Sequence, residues 1–238
     1  LYFQQVTSTM DVAISEGQAG APEGTIILAE EQTNARGRFG RHWEAPLGNI
    51  HLSVLVRPSA VMIPFLSILA GVVSIRAIRR VTDLTPVLKW PNDVLVHGKK
   101  ICGILVENSF TGNSPDYAVV GIGINVDFDP SSTMRSLPNA SSLAKHTNFP
   151  VEKSLLLKHL LEQMDILYRN LRNGQTPIDE WKSVLSTLGN PVTVKWKQKE
   201  WEGFAEDVDR KGNLLLRQPD GTILSIPSGE VTVTDTSR

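Results

Sequence analysis

Residues 87–108 read VLKWPNDVLVHGKKICGILVEN, and the alternation of apolar runs with turn residues in this stretch sets the architecture of its surroundings. Val87 to Lys89 has the length and texture of a short strand, and Pro91-Asn92-Asp93 that of a turn. Val94 to Val96 and Ile101 to Val106 are two further strands, joined through His97-Gly98-Lys99-Lys100 as a hairpin.

Upstream, the run EQTNARGRFGRHW at 31–43 sets Arg36, Arg38 and Arg41 among Gly37 and Gly40 with no apolar period. Glycines let backbone approach a ligand closely, and guanidinium groups present forked donors to carboxylate and phosphate oxygens. This is a loop suited to closing over an anion, with Trp43 offering a flat face for a ring. Arg/Gly runs also occur in nucleic-acid-binding segments, so the loop alone does not decide between the two.

Thr25 to Glu30 (TIILAE) reads as a buried strand leading into this loop, and Ile50 to Arg57 (IHLSVLVR) as an alternating strand leaving it. Residues 32–49 are then one excursion between neighbouring strands. Before them, Ser8-Thr9 with Asp11 reads as a capped helix start whose hydroxyls also suit a polar pocket wall. Leu1 to Gln4 is similar to the tail of a cleavable tag, but Tyr2, Phe3 and Val6 read better as a strand of the fold. Pro64 is expected to open a long apolar helix to Val81, with Arg76, Arg79 and Arg80 complementing its C-terminal dipole.

Downstream, Tyr117 to Val126 (YAVVGIGINV) reads as a strand, and 127–150 as an irregular connection with one helical turn near Ser141 to Lys145. A helix follows over Ser154 to Arg172, stopped by Asn173-Gly174, and a shorter one from Thr176-Pro177 through Trp181 to Leu188. From Asn190 the texture changes to five short strands, VTVKWK, EGFAEDVD, NLLLRQ, TILSIP and VTVTD.

With 238 residues, 41% of them hydrophobic, the chain can bury a proper core. A formal net charge of −1 gives no overall field toward nucleic acid or an anionic membrane. The single cysteine, Cys102, excludes an internal disulfide framework and a multi-cysteine metal site, and suits the cytoplasm. No stretch is expected to span a membrane, and the N-terminus lacks the pattern of a signal peptide.

The block Lys89-Trp90-Pro91-Asn92-Asp93, then Lys100, then Gly103-Ile104-Leu105-Val106-Glu107, resembles the signature of biotin protein ligases. The arginine loop is similar to that family's G-R-G-R-x-G-R-x-W, and Gly121-Ile122-Gly123-Ile124-Asn125 to its G-x-G-I-N strand. With Ser8-Thr9 in front, the similarity runs from about Val6 to Val233. It implies an α+β fold: a central mixed β-sheet flanked by helices, of the class II aminoacyl-tRNA synthetase and biotin ligase kind, over 1–188. A small SH3-like β-barrel is implied over 189–238.

The resemblance also implies a chemistry: ATP converts biotin to biotinyl-5′-AMP, and a lysine of a biotin carboxyl carrier protein then takes the biotinyl group. The matched positions place Ser8, Thr9, Met10, Gln32, Arg36, Gly37, Arg38, Lys100 and Gly103 at biotin. They place Arg38, Arg41, Trp43, Asn92 and Asn125 at ATP or the adenylate. Arg36, Arg38 and Lys100 are candidates to neutralise the reacting anions, and Asp93 to orient or deprotonate the incoming lysine. Magnesium follows from the use of ATP; Asp93 is one candidate ligand and the others are unassigned.

One departure stands out: Ala35 replaces the first glycine of the loop motif, which puts loop ordering and adenylate retention in question. Lipoate and octanoate ligases share the broad fold, but a linear acyl chain has no use for the Ser-Thr-Gln set. A biotin-responsive repressor would need a DNA-binding domain ahead of Val6, and none is expected in this chain. An RNA-binding protein using the Arg/Gly loop and the barrel is a third reading, and a homodimer is left open.

Overall fold

A computed structural model of the protein describes residues 1–128 and 137–234. Seven strands form the main sheet: β1 (Tyr2–Val6), β2 (Ile26–Gln32), β3 (Ile50–Val56), β4 (Val87–Lys89), β5 (Asp93–Val96), β6 (Lys99–Thr111) and β7 (Ser114–Ile124). Their order is β1-β2-β3-β7-β6-β5-β4, with β1 parallel to β2 and the other neighbours antiparallel. The sheet is therefore mixed, and Tyr2 to Val6 is one of its strands.

Helix α1 (Thr9–Gln18) covers one face, and α2 (Leu66–Val81) with α3 (Lys153–Arg172) the other. Strand β3 shows what this does to an alternating sequence. Ile50, Leu52, Val54 and Val56 pack in the core that holds α2 and α3, while Leu55 packs with Met10 and Ala13 of α1. Every residue of β3 is buried. The polar positions His51 and Ser53 thus face a second layer, not water.

The apolar helix begins later than expected: Pro64 lies in a 3-10 turn over Ala60–Phe65, and α2 starts at Leu66. Within the 22 residues Ala60–Val81 an 18-residue window reaches a mean hydropathy of 2.1, enough by length and composition to cross a bilayer. That window is 67% buried between the sheet and α3, which identifies it as a core helix.

The last helix of the main domain, α4 (Ile178–Ser183), stops short of the expected Leu188. The Val184 carbonyl accepts from Leu88 N–H at 2.8 Å, and Ser186 N–H donates to the Leu88 carbonyl at 2.7 Å. Pairing with the open edge of β4 supplies these groups with partners that another helical turn would have supplied, and it caps that edge. Trp181 is 1% exposed, as its apolar position suggested.

Five more strands, β8 (Pro191–Trp196), β9 (Lys199–Val208), β10 (Leu214–Arg217), β11 (Ile223–Ile226) and β12 (Glu230–Val233), form a separate antiparallel sheet in the order β11-β10-β9-β8-β12. Gly189 N–H donates to the Ala205 carbonyl at 2.9 Å, just ahead of β8. The inward residues of this sheet, such as Val194, Ala205 and Leu216, are continuous with the main core. The 127–150 connection shows a 3-10 turn at Leu143–Lys145, while 129–136 and 235–238 lie outside the described residues.

Trp90 joins the two domains. It is 2% exposed, its backbone N–H donates to Thr187 Oγ1, and its indole N–H donates to the Gly212 carbonyl of the second domain, both at 2.9 Å. Trp90→Ala opens a cavity and removes the donor to the Gly212 carbonyl. It should lower the unfolding free energy by about 3–5 kcal/mol, read from the urea midpoint.

Candidate active site

The site is built on a floor without side chains. On the α1 face of β6 and β7 stand Gly103, Gly121 and Gly123, paired as Gly103↔Gly123 and Leu105↔Gly121. A Cβ on Gly121 would lie 2.5 Å from Met10 Sδ, one on Gly103 2.9 Å from the Trp43 ring, and one on Gly123 3.0 Å from its Nε1. Glycine is required here by the closeness of Met10 and Trp43, not by backbone dihedrals. Trp43 lies directly against the sheet.

At the start of α1, Ser8 occupies the N-cap position, but neither it nor Thr9 caps the helix in the expected way. Ser8 Oγ is buried without a partner, and Thr9 Oγ1 donates to Gln32 Oε1 at 3.1 Å. The same Gln32 oxygen accepts from Thr9 N–H at 2.7 Å, and Ser53 Oγ donates to Thr9 Oγ1 at 2.9 Å. The hydroxyls therefore belong to the pocket wall.

The arginine loop closes as a narrow hairpin. Arg36 bridges His42, Gly37 N–H donates to the Arg41 carbonyl at 2.7 Å, and Trp43 N–H to the Ala35 carbonyl at 3.0 Å. Phe39 (φ 60°) and Gly40 (φ 71°) make the left-handed turn at its tip. Ala35 is 4% exposed and is not left-handed, so its methyl fits this loop without backbone strain.

Arg36 forks onto Glu107, Nε to Oε1 at 3.1 Å and Nη2 to Oε2 at 2.9 Å, and its Nη1 meets Asp11. The hydrogen-bonded Glu107 carboxylate holds this guanidinium above its usual value. Arg41 pairs with Glu230, and Lys100 Nζ with Asp93 Oδ1 at 2.7 Å while standing 5.2 Å from the centre of the Trp43 ring. Arg38 is held differently. It donates to Asn92 Oδ1 at 3.2 Å, to the Gly229 carbonyl at 3.1 Å and to Ser228 Oγ, all neutral acceptors. Burial pulls its titration down, opposed by the charge of Asp93.

These groups line one cavity of about 350 Å³, which gathers every site residue expected from the sequence except Asn125. Asn125 lies outside that lining. It is 5% exposed, donates from Nδ2 to the Ser141 carbonyl at 2.9 Å, and accepts at its own carbonyl from Leu143 N–H. It fastens the end of β7 to the 141–143 segment behind the cavity. Cys102 faces α2 on the far side of the sheet, and burial pushes its thiol up to about 12.

The structure adds residues that sequence reasoning missed: Asp11 and Glu107, which hold Arg36; Ser228, Gly229 and Glu230 of the second domain; and His51 and Ser53 on the floor. Only the last two had a local signal, the polar phase of IHLSVLVR. Among the described residues no group of three or more His, Cys, Asp or Glu side chains could hold a metal, and Asp93 already faces an ammonium.

A mixed sheet with a polar, cation-rimmed cavity over a glycine floor defines an anion-handling enzyme class, and the comparisons identify it. Residues 2–125 match the Biotin/lipoate A/B protein ligase family, and residues 187–233 the Biotin protein ligase C terminal domain. The chain is 31% identical over 227 residues to the bifunctional ligase/repressor BirA of Bacillus subtilis, covering 93% of this chain and 70% of that protein. It is also 31% identical to the biotin–acetyl-CoA-carboxylase ligase of Paracoccus denitrificans, covering 86% and 88%. The biotin protein ligase from Aquifex aeolicus, solved with biotin and ATP, superposes with a TM-score of 0.80 at 26% identity, over 99% of this chain and 98% of that one.

The chain belongs to the biotin/lipoate A/B protein ligase family. Within it, the second domain is the one that carries the biotin protein ligase name.

Gly103→Val should lift Trp43 from the floor and destabilise the protein. The loss should largely vanish in a Trp43→Ala background, a coupling measurable as a double-mutant cycle in urea.

Proposed function

We propose that this chain is an ATP-dependent biotin protein ligase. A biotin carboxylate oxygen attacks the α-phosphorus of ATP, pyrophosphate leaves, and biotinyl-5′-AMP forms. A lysine amine of a carrier domain then attacks the acyl carbon and AMP leaves. The observation that carries this reading is the meeting, in one cavity, of the Ser8, Thr9 and Gln32 polar pocket, the Trp43 face and the buried Arg38.

In the first step two anions must approach each other, so fixed donors close to both are what lowers the barrier. Arg38 suits this role because its contacts are neutral and a phosphate oxygen can join them without displacing a carboxylate. Arg36 and Lys100 reach a phosphate by exchanging a carboxylate partner for it. All five of Trp43, Asn92, Met10, Gly37 and Gly103 line the cavity, and on this reading the first two serve the adenylate and the other three biotin. The described residues make no cage for magnesium, which would enter with the ATP phosphates and supply charge neutralisation there; Asp93, in the cavity lining, is the candidate to touch it.

In the second step the amine must be neutral, which costs about 4–5 kcal/mol at pH 7 from an ordinary lysine pKa of about 10.4. Asp93, at the cavity and shared with Lys100, is placed to orient that amine and take its proton. The need for ATP and the unpaired Cys102 fit a reducing cytoplasm. The acceptor is the biotin-accepting domain of a carboxylase carrier protein.

The test is ATP–pyrophosphate exchange with biotin, lipoate or octanoate supplied separately. Exchange with biotin alone is expected, and exchange with a linear acid instead would transfer the chain to the lipoate side of the family. Arg38→Ala should slow exchange by about 10²- to 10³-fold. Asp93→Asn should slow transfer from preformed biotinyl-5′-AMP far more than it slows exchange; equal slowing of both steps would reject the proton-accepting role.

A further inference from the structure

We propose that His51 Nδ1 accepts a hydrogen bond from a ring N–H of the substrate's ureido group, making His51 a specificity residue of this site. The inference rests on the biotin reading above and adds a residue to it. His51 is 1% exposed, lies on the α1 face of β3 two positions from Ser53, and lines the cavity.

The tautomer follows from the surroundings. His51 Nε2 lies 3.1 Å from the Pro46 carbonyl, which can only accept, so Nε2 carries the hydrogen. In a neutral imidazole the other nitrogen is then a bare lone pair. Nδ1 is buried and has no partner within the protein. A buried acceptor left unpaired is a standing penalty that a ligand donor removes on binding.

Neighbouring groups say what kind of ligand fits. Ser53, Thr9 and Gln32 satisfy one another, whereas Ser8 Oγ, at the same end of the cavity, has no partner. This part of the pocket therefore presents an unpartnered hydroxyl and an unpartnered acceptor, while the unpartnered Trp43 indole N–H lies against Gly123. A cyclic urea offers the complement, a carbonyl flanked by N–H groups. A dithiolane or a saturated chain offers neither, so His51 would favour biotin over the linear acids handled elsewhere in the family.

The imidazole is also kept neutral. Burial lowers its titration below the ordinary 6.5 and Lys153 adds to this, while the Pro46 and Ala45 carbonyls and the charge of Glu30 oppose it. Glu30 of β2 and Lys153 of α3 pair with each other at 2.9 Å and largely cancel. The remaining charges around the cavity are Arg36, Arg38, Arg41 and Lys100 with their acidic partners Asp11, Glu107, Glu230 and Asp93, together with His42 and Lys89. Protonation would place a hydrogen on Nδ1 and abolish the acceptor. Affinity should hold from high pH down through 6.5 and fall below it, with a proton released on binding in the falling range.

The experiment is calorimetric titration of the whole chain with biotin between pH 5 and 8, in buffers of different ionisation heat, for wild type, His51→Phe and His51→Gln. His51→Phe should bind about tenfold or more weakly at pH 8 and lose the proton release. His51→Gln keeps an acceptor oxygen, so it should bind within a few-fold of wild type and independently of pH. Biotin methylated at the contacted ring nitrogen should bind wild type weakly and discriminate little between wild type and His51→Phe. The wild-type pH profile tests the inference even where a variant fails to fold. Biotin binding by His51→Phe as tight as wild type, or no linked proton in wild type, overturns the His51 assignment alone. Wild type that does not bind biotin overturns the ligase reading with it.

Discussion

Where a sheet carries no side chains, something else can touch its backbone, and the site depends on that vacancy in β6 and β7. The reverse face of the same strands is fully dressed: Ile104, Ile122 and Ile124 pack in the core with α2. That core fixes the strands firmly enough for the bare face to serve as a hard surface. Met10 and Trp43 occupy it because a methyl at Gly121, Gly103 or Gly123 would stand where their atoms are. Polar residues on the neighbouring strand β3 complete the floor, and the α1 layer keeps them from water.

The rim is organised by charge. Three of its four arginine and lysine side chains named from the sequence face carboxylates brought in from distant segments, and Arg38 alone rests on neutral oxygens. Partly exposed ion pairs of this kind are individually worth about 0–1 kcal/mol, so an incoming phosphate can replace a carboxylate at little expense. Arg38 is different. Its partly buried guanidinium hydrogen-bonds no carboxylate and so is open to an anion, and the loop that carries it is held in shape by the pairs on either side.

What could be read from the chain was what lies close together in it. The strand, turn and hairpin at 87–108, the stop at Asn173-Gly174 and the five short strands of the second domain all carry local signals, and all appear. The misses are long-range. Nothing near Arg36 points to Glu107, 71 residues away, and nothing near Arg38 points to Ser228, 190 away. Thr9 was a helix-cap residue by local rules, but Gln32 and Ser53 engaged its hydroxyl once the sheet placed them beside it. The end of α4 was overruled in the same way by the unpaired edge of β4. Asn125 belongs to a motif, and the structure puts it to use behind the cavity.

The contacts of Arg38 with Ser228 and Gly229 also carry a temporal meaning. A polypeptide is synthesised from its N-terminus, so the loop, the floor and the polar pocket all leave the ribosome before the segment leading into β12 exists. Until that segment arrives and pairs with β8, the Arg38 guanidinium lacks two of its three seats. A nascent chain would hold most of the pocket while its cation still lacked a fixed position, and competence to activate an acid would be gained late, with translation of this region nearly finished.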